Sequence, residues 1–125
     1  MKKTLLAVGT LVSALVLAFA AFSQAATKPA SCSVTPNPAT LGETITVSAS
    51  GLSPGKEVNR IETFPDGAKS TMRVDVGTDG TYSGTEVAGW YGNQTGDYTI
   101  QFVSKVSWPT GDFKTVYATC TFTVN

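Results

Sequence analysis

Histidine is absent from all 125 residues, which removes the commonest general base and metal ligand from the chain. Ser-His-Asp and Cys-His nucleophilic arrangements are excluded with it. Two cysteines, Cys32 and Cys120, and nine carboxylates remain. Carboxylate pairs remain possible, but they form no recognisable motif, and a glycosidase dyad needs so specific a geometry that this reading is disfavoured. Asp75-Val76-Gly77-Thr78-Asp79-Gly80 looks like a fragment of a calcium loop. It offers only two local carboxylates where a hard cation takes about six to eight oxygens, so a hairpin turn is the better reading. The chain is therefore expected to be no enzyme and to carry no metal or cofactor.

Aromatic residues are what could bind something. Trp90 and Tyr91 sit in the glycine-flanked run AGWYGNQTG, with Asn93 and Gln94 beside them, and Trp108 sits in a Pro-Gly turn. Such side chains bury large apolar area at small entropic cost and serve as platforms for sugars and protein surfaces. The amides of Asn93 and Gln94 add donors and acceptors, and Trp90, Tyr91 and Asn93 form the candidate binding set. The alternative is that each tryptophan folds over one end of the domain. One strand separates the two loops, so they are expected at opposite ends and not on one platform. Asn93-Gln94-Thr95 is also a glycosylation sequon, meaningful only in a eukaryotic host; otherwise it is an ordinary turn. By parity Tyr117 faces outward among Thr115, Thr119, Thr121 and Thr123, giving a polar, β-branched sheet face.

The first quarter of the chain is an address. Lys2 and Lys3 precede an apolar run from Leu5 to Ala21, and Ser23-Gln24-Ala25 places small residues where a signal peptidase cuts. Residues 1–25 read as a signal peptide of bacterial kind, 26–30 as a short disordered lead and 31–125 as one domain. An uncleaved anchor is the rival, but Gly9, Thr10 and Ser13 interrupt the run. Without the two leader lysines, seven basic residues face nine acidic ones, a net charge of −2. That balance argues against nucleic acid or an anionic membrane as partner. The expected location is extracellular or periplasmic, with no membrane attachment after cleavage.

The cysteines fit that address. Cys32 shares parity with Val34, and Cys120 with Val116, Ala118, Phe122 and Val124, so both face the core on the first and last strands. A bridge between them would close about 88 residues and stabilise the fold by roughly 4 kcal/mol in the chain-entropy model. Cys32 as a lipoprotein cysteine is the competing reading, but Pro29-Ala30-Ser31 lacks the lipobox leucine.

These residues must be held by strands. Ile45, Val47 and Ala49 alternate with Thr44, Thr46, Ser48 and Ser50, with Gly42 before them and Leu52-Ser53-Pro54-Gly55 after. Further strands are predicted over 31–35, 56–64, 70–76, 81–87, 97–106 and 113–125. Pro36 and Pro38 end the first because neither donates to a ladder. In 56–64 Val58 and Phe64 point one way and Ile61 the other, which calls for a bulge or for burial of both faces. Thr78-Asp79-Gly80 predicts a hairpin between the fourth and fifth strands. Seven short strands between Gly and Pro turns predict an all-β, antiparallel β-sandwich.

The Pro-rich lead-in, the glycine, the alternating run and the GLSPG turn resemble the second strand of bacterial immunoglobulin-like domains. Gly96-Asp97-Tyr98-Thr99-Ile100 resembles the start of the sixth strand of that fold, where the tyrosine forms a tyrosine corner. Ile100 stands where antibody-type domains have their second intersheet cysteine. The resemblance implies an immunoglobulin-like sandwich and leaves function open. The order V-T-P, G, V-x-V, G-L-x-x-G also resembles apoproteins that carry enediyne chromophores, without their two short-range disulfides. The expectation is a secreted, non-catalytic binding or structural module acting on an extracellular protein or glycan. A small carbohydrate-binding module using Trp90, Tyr91 and Trp108, or a small-ligand carrier, are the alternatives.

Overall fold

The computed structural model describes residues 29–125. The signal peptide and most of the lead fall outside the described residues. Seven strands follow one another with no helix between them: β1 (Ser31–Thr35), β2 (Thr44–Ser50), β3 (Val58–Thr63), β4 (Lys69–Val74), β5 (Tyr82–Val87), β6 (Gly96–Val103) and β7 (Val116–Val124). They form two antiparallel sheets, β1-β2-β5 and β4-β3-β6-β7. Ile45, Val47 and Ala49 of the first sheet meet Val58, Ile100, Phe102 and Phe122 of the second in one core, so the fold is all-β and sandwich-like. Ala30 already packs against that core.

The two sides of the sandwich are closed differently. On one side Cys32 of β1 and Cys120 of β7 are joined by the expected disulfide, with Cα atoms 5.7 Å apart and 88 residues of separation. The chain then crosses beside β7, where Pro36 and Pro38 cannot donate. The Asn37 side chain takes their place, accepting from the Thr123 amide at 3.1 Å and donating to the Thr121 carbonyl at 3.3 Å. Ala39 resumes backbone pairing with Val124 in parallel. On the other side β4 and β5 are the end strands of their sheets, and a cleft lies between them.

Two sequence expectations are corrected here. Thr78-Asp79-Gly80 forms its turn, closed by the Gly77 amide on the Thr81 carbonyl at 2.8 Å, yet β4 and β5 belong to different sheets and no hairpin results. Turn chemistry fixes a local reversal, not the sheet that each flank joins. Gly80, at φ 81°, brings its backbone against Leu52, where a Cβ would stand 2.7 Å from the Leu52 carbonyl oxygen. Tyr117 packs toward the core and Val116 is 43 % exposed, the reverse of their parity. A register shift opposite Phe102 and Val103 pairs Val103 with Val116 and leaves Tyr117 as the extra residue of a bulge. Met72 lines the cleft between the sheets and is 49 % exposed there, because β4 is an end strand and the edge beside it is open.

The mixed parity of β3 has a plain cause: both of its faces are covered. Ile61 packs outside the sandwich with Val103, Val106 and Phe113 of β6 and the β6–β7 loop. Val58 and Phe64 pack inside.

Candidate functional site

The β5–β6 loop is built tightly. The Trp90 amide donates to the Val87 carbonyl and the Asn93 amide to that of Gly89, both at 3.0 Å. Gly89 at φ 79° and Asn93 at φ 51° supply the left-handed steps those turns need. Tyr98, buried on β6, donates its hydroxyl proton to the Gln94 carbonyl at 2.6 Å, which fixes the base of the loop. The Gln94 amide ties the loop to the β3–β4 turn, accepting from the Asp66 amide at 3.0 Å and donating to the Tyr91 carbonyl at 3.4 Å. Its donors and acceptors are therefore engaged, whereas Asn93 remains exposed.

Trp90 and Tyr91 are 49 % and 48 % exposed, and both rest on buried Phe64. Ring centroids lie 5.5 Å apart for Phe64 and Trp90, edge to face, and 4.8 Å apart for Phe64 and Tyr91. Half of each ring is thus anchored and half is offered to solvent, the arrangement of a preformed aromatic contact. Trp108 is 68 % exposed in the β6–β7 loop, where Ser107 and Asp112 pair. β6 separates the two loops by about 23 Å of strand, taking ~3.3 Å per residue. Trp90 with Tyr91 and Trp108 therefore lie at opposite ends and make no common platform.

Beside Trp90 the sandwich holds charges that sequence reading missed. Arg60 and Glu62 share the inward parity of Val58 and Phe64. Arg60 Nη2 bonds Glu62 Oε1 at 2.8 Å and also reaches Glu86 of β5, linking the sheets. Its Nη1 lies 3.4 Å from the Tyr82 hydroxyl. The strand V-N-R-I-E-T-F carried the signal: Arg60 and Glu62 stand between Val58 and Phe64 at the positions where alternation puts core residues. With Met72 and Ser70 of β4 and with Trp90, these groups line the cleft between β4 and β5, about 180 Å³ in volume.

Burial pushes the Glu62 carboxyl above its ordinary pKa, opposed by the Arg60 charge and hydrogen bond and, last, by the Trp90 indole. Among the described residues, the buried side-chain polar atoms without a hydrogen-bond partner are Arg60 Nε and Glu62 Oε2, both in this cleft. A larger hollow of about 450 Å³, by Phe113 and Lys114 at the other end, has no such atom.

No protein-family model matches the chain, and no curated protein is significantly similar to it.

Proposed function

We propose that the chain is a secreted, non-catalytic binding module of immunoglobulin-like architecture, taking its ligand at the Trp90 end of the β4–β5 cleft. The strand order β1-β2-β5 over β4-β3-β6-β7 and the hydroxyl bond from Tyr98 back to Gln94 support that architecture. The disulfide, together with the lack of a membrane-spanning helix among the described residues, is compatible with export. The observation that carries the binding reading is the anchored, half-exposed pair Trp90 and Tyr91 on Phe64, next to the β4–β5 cleft that Trp90 lines.

An extracellular glycan or protein is the partner class this end suits, with Asn93 at its rim. A small-ligand carrier is the second reading, and the cleft volume favours it over a flat carbohydrate platform. Screening the exported protein on a glycan array and against small-ligand sets, with Trp90→Ala as control, tests the reading. Ligands lost in Trp90→Ala support it; ligands retained there move the site elsewhere.

A further inference from the structure

We propose that the β4 edge of the cleft takes up an extended acidic segment of an extracellular protein as an added antiparallel strand. Its acidic side chains would lie on Lys69 and Arg73, and its apolar ones would turn into the cleft beside Met72 and Trp90. β4 is an end strand of its sheet, so one row of its backbone groups faces no strand. Which groups those are follows from the turn before it. The Phe64 amide donates to the Ala68 carbonyl at 2.8 Å, and alternation from that bond commits the backbone of Ser70 and Met72 to β3. Lys69, Thr71 and Arg73 therefore turn their amides and carbonyls to the open edge. Among the described residues, no backbone hydrogen bond outside the β3 ladder engages them. The facing end strand, β5, is a poorer receiver, because its Val87 carbonyl already accepts from the Trp90 amide and none of Ser83, Thr85 and Val87 carries a charge.

Charge selects the occupant. The side chains of Lys69, Thr71 and Arg73 share the outer face of the sheet, and residues directly opposite them on an added strand share it too. Lys69 has no carboxylate within ion-pair distance among the described residues. Arg73 reaches Glu57 at 3.8 Å with 71 % of its side chain exposed, a contact too long and too wet to hold it firmly. A second copy of β4 does not fit: full antiparallel overlap centred on Thr71 sets Lys69 opposite Arg73, like charge against like. Carboxylates at those positions reverse the sign, so the edge charges that discourage self-pairing favour an acidic strand. On the inner face the same strand presents its alternate residues to the cleft of about 180 Å³, where Met72 and Trp90 are both half exposed. Apolar side chains there cover both. Main-chain bonds then supply affinity and the alternating side chains specificity.

The inference rests on the reading that the Trp90 end of the cleft is a binding site, and the test separates the two. A blocked hexapeptide alternating Glu and Val, as long as the six residues of β4, is titrated into the isotope-labelled exported protein at neutral pH and followed by NMR. The Lys69, Thr71 and Arg73 amides are expected to shift and to gain protection from exchange, while the Ser70 and Met72 amides, already bonded to β3, change little. Replacing Glu by Lys in the peptide should weaken binding at least about tenfold, and the Lys69→Glu, Arg73→Glu double variant should reverse that preference. N-methylation of the peptide's Glu residues, whose amides would face β4, should abolish binding, and Trp90→Ala should weaken it. Equal affinity for the Glu and Lys peptides, or full affinity after N-methylation, overturns the proposal. So does saturation that leaves the β4 edge amides unprotected; if Trp90→Ala removes such binding, the aromatic site stands without the edge. No binding of the Glu peptide to the folded protein also overturns it, while the array result with Trp90→Ala still decides the broader reading.

Discussion

Arg60 and Glu62, two positions apart on β3, both turn into the space between the sheets and meet at 2.8 Å with under a tenth of either side chain exposed. Charge there replaces the hydrocarbon that alternation would put at core positions. The second carboxylate, Glu86, comes from the facing sheet, so the cluster fastens the open side of the sandwich as the disulfide fastens the other.

The two members of the pair should respond unequally to substitution. Arg60→Met leaves Glu62 and Glu86 without a cation and is expected to destabilise the fold by about 3–5 kcal/mol. Glu62→Gln removes a desolvated charge while Arg60 keeps Glu86, and is expected to be neutral or stabilising. Urea unfolding of both variants measures this, and a larger loss in Glu62→Gln than in Arg60→Met would contradict it.

Stability should fall as pH rises from about the ordinary carboxyl value. Glu62 is raised above 4.5 in the folded chain, so between that value and its folded pKa the native state holds a proton the unfolded state has released. Unfolding is therefore favoured progressively across that window. Arg60 on β3, Glu86 and Tyr82 on β5, Ser70 and Met72 on β4 and Trp90 in the β5–β6 loop surround the group. Asp79, held below 3.8 by the Thr81 hydroxyl and amide, acts with the opposite sign and at lower pH. Thermal unfolding against pH should show a decline above 4.5 in wild type that Glu62→Gln flattens; equal slopes would refute the assignment.

Much of the fold was legible because strands and turns are local. Ile45, Val47 and Ala49 alternate as a half-buried strand must, and Cys32 and Cys120 lie inward on the strands where parity set them. The failures are non-local. Nothing within Thr78-Asp79-Gly80 says that its flanks join different sheets, and nothing near Tyr117 announces a bulge whose cause lies in the pairing with β6. Trp90 and Tyr91 were visible as a Gly-flanked pair, but Phe64 beneath them is 26 residues away in sequence from Trp90 and no spacing rule connects them. Arg60 and Glu62 escaped notice because charged side chains are almost never fully buried unless paired, and the second partner of Arg60 lies on β5.

Breaking the bridge should cost about as much as truncating a large core side chain near it. The disulfide closes 88 residues, which in the chain-entropy model corresponds to about 4 kcal/mol. Intact mass without reductant should be two hydrogens below the thiol form, and the Cys32→Ser, Cys120→Ser double variant should unfold at much lower urea. Full stability in reductant would show that β1 and β7 are held by pairing and packing alone.

Tyr98→Phe isolates a single hydroxyl. The lost bond to the Gln94 carbonyl, 2.6 Å long, should destabilise the fold by about 1–2 kcal/mol, the usual cost of leaving a buried acceptor unmet. The ring stays stacked on Phe122 at 4.9 Å, so the core itself is preserved. Hydrogen exchange should rise at the Trp90 and Asn93 amides, since the loop loses its anchor while its turns remain. Unchanged exchange there would mean that the Gln94 side-chain bonds to Asp66 and Tyr91 suffice.

The two tryptophans offer the sharpest functional contrast, because both are exposed and they lie at opposite ends of β6. Trp90 rests on Phe64 beside the charged cleft; Trp108 projects from the β6–β7 loop, 68 % exposed, at the far end of β6. A contact residue contributes when it is anchored before binding and shielded from water after it, and only Trp90 has an aromatic support and a cleft wall to shield it. Trp90→Ala is therefore expected to weaken ligand binding by about 2 kcal/mol or more. Trp108→Ala should leave affinity unchanged. Tyr91→Ala should fall between them, since Tyr91 shares the Phe64 support but does not line the cleft. Binding measured by intrinsic fluorescence can report on both ends in one experiment: with Trp108 removed, any ligand-induced change in emission comes from Trp90. A signal that survives in Trp90→Ala and vanishes in Trp108→Ala would transfer the site to the β6–β7 end.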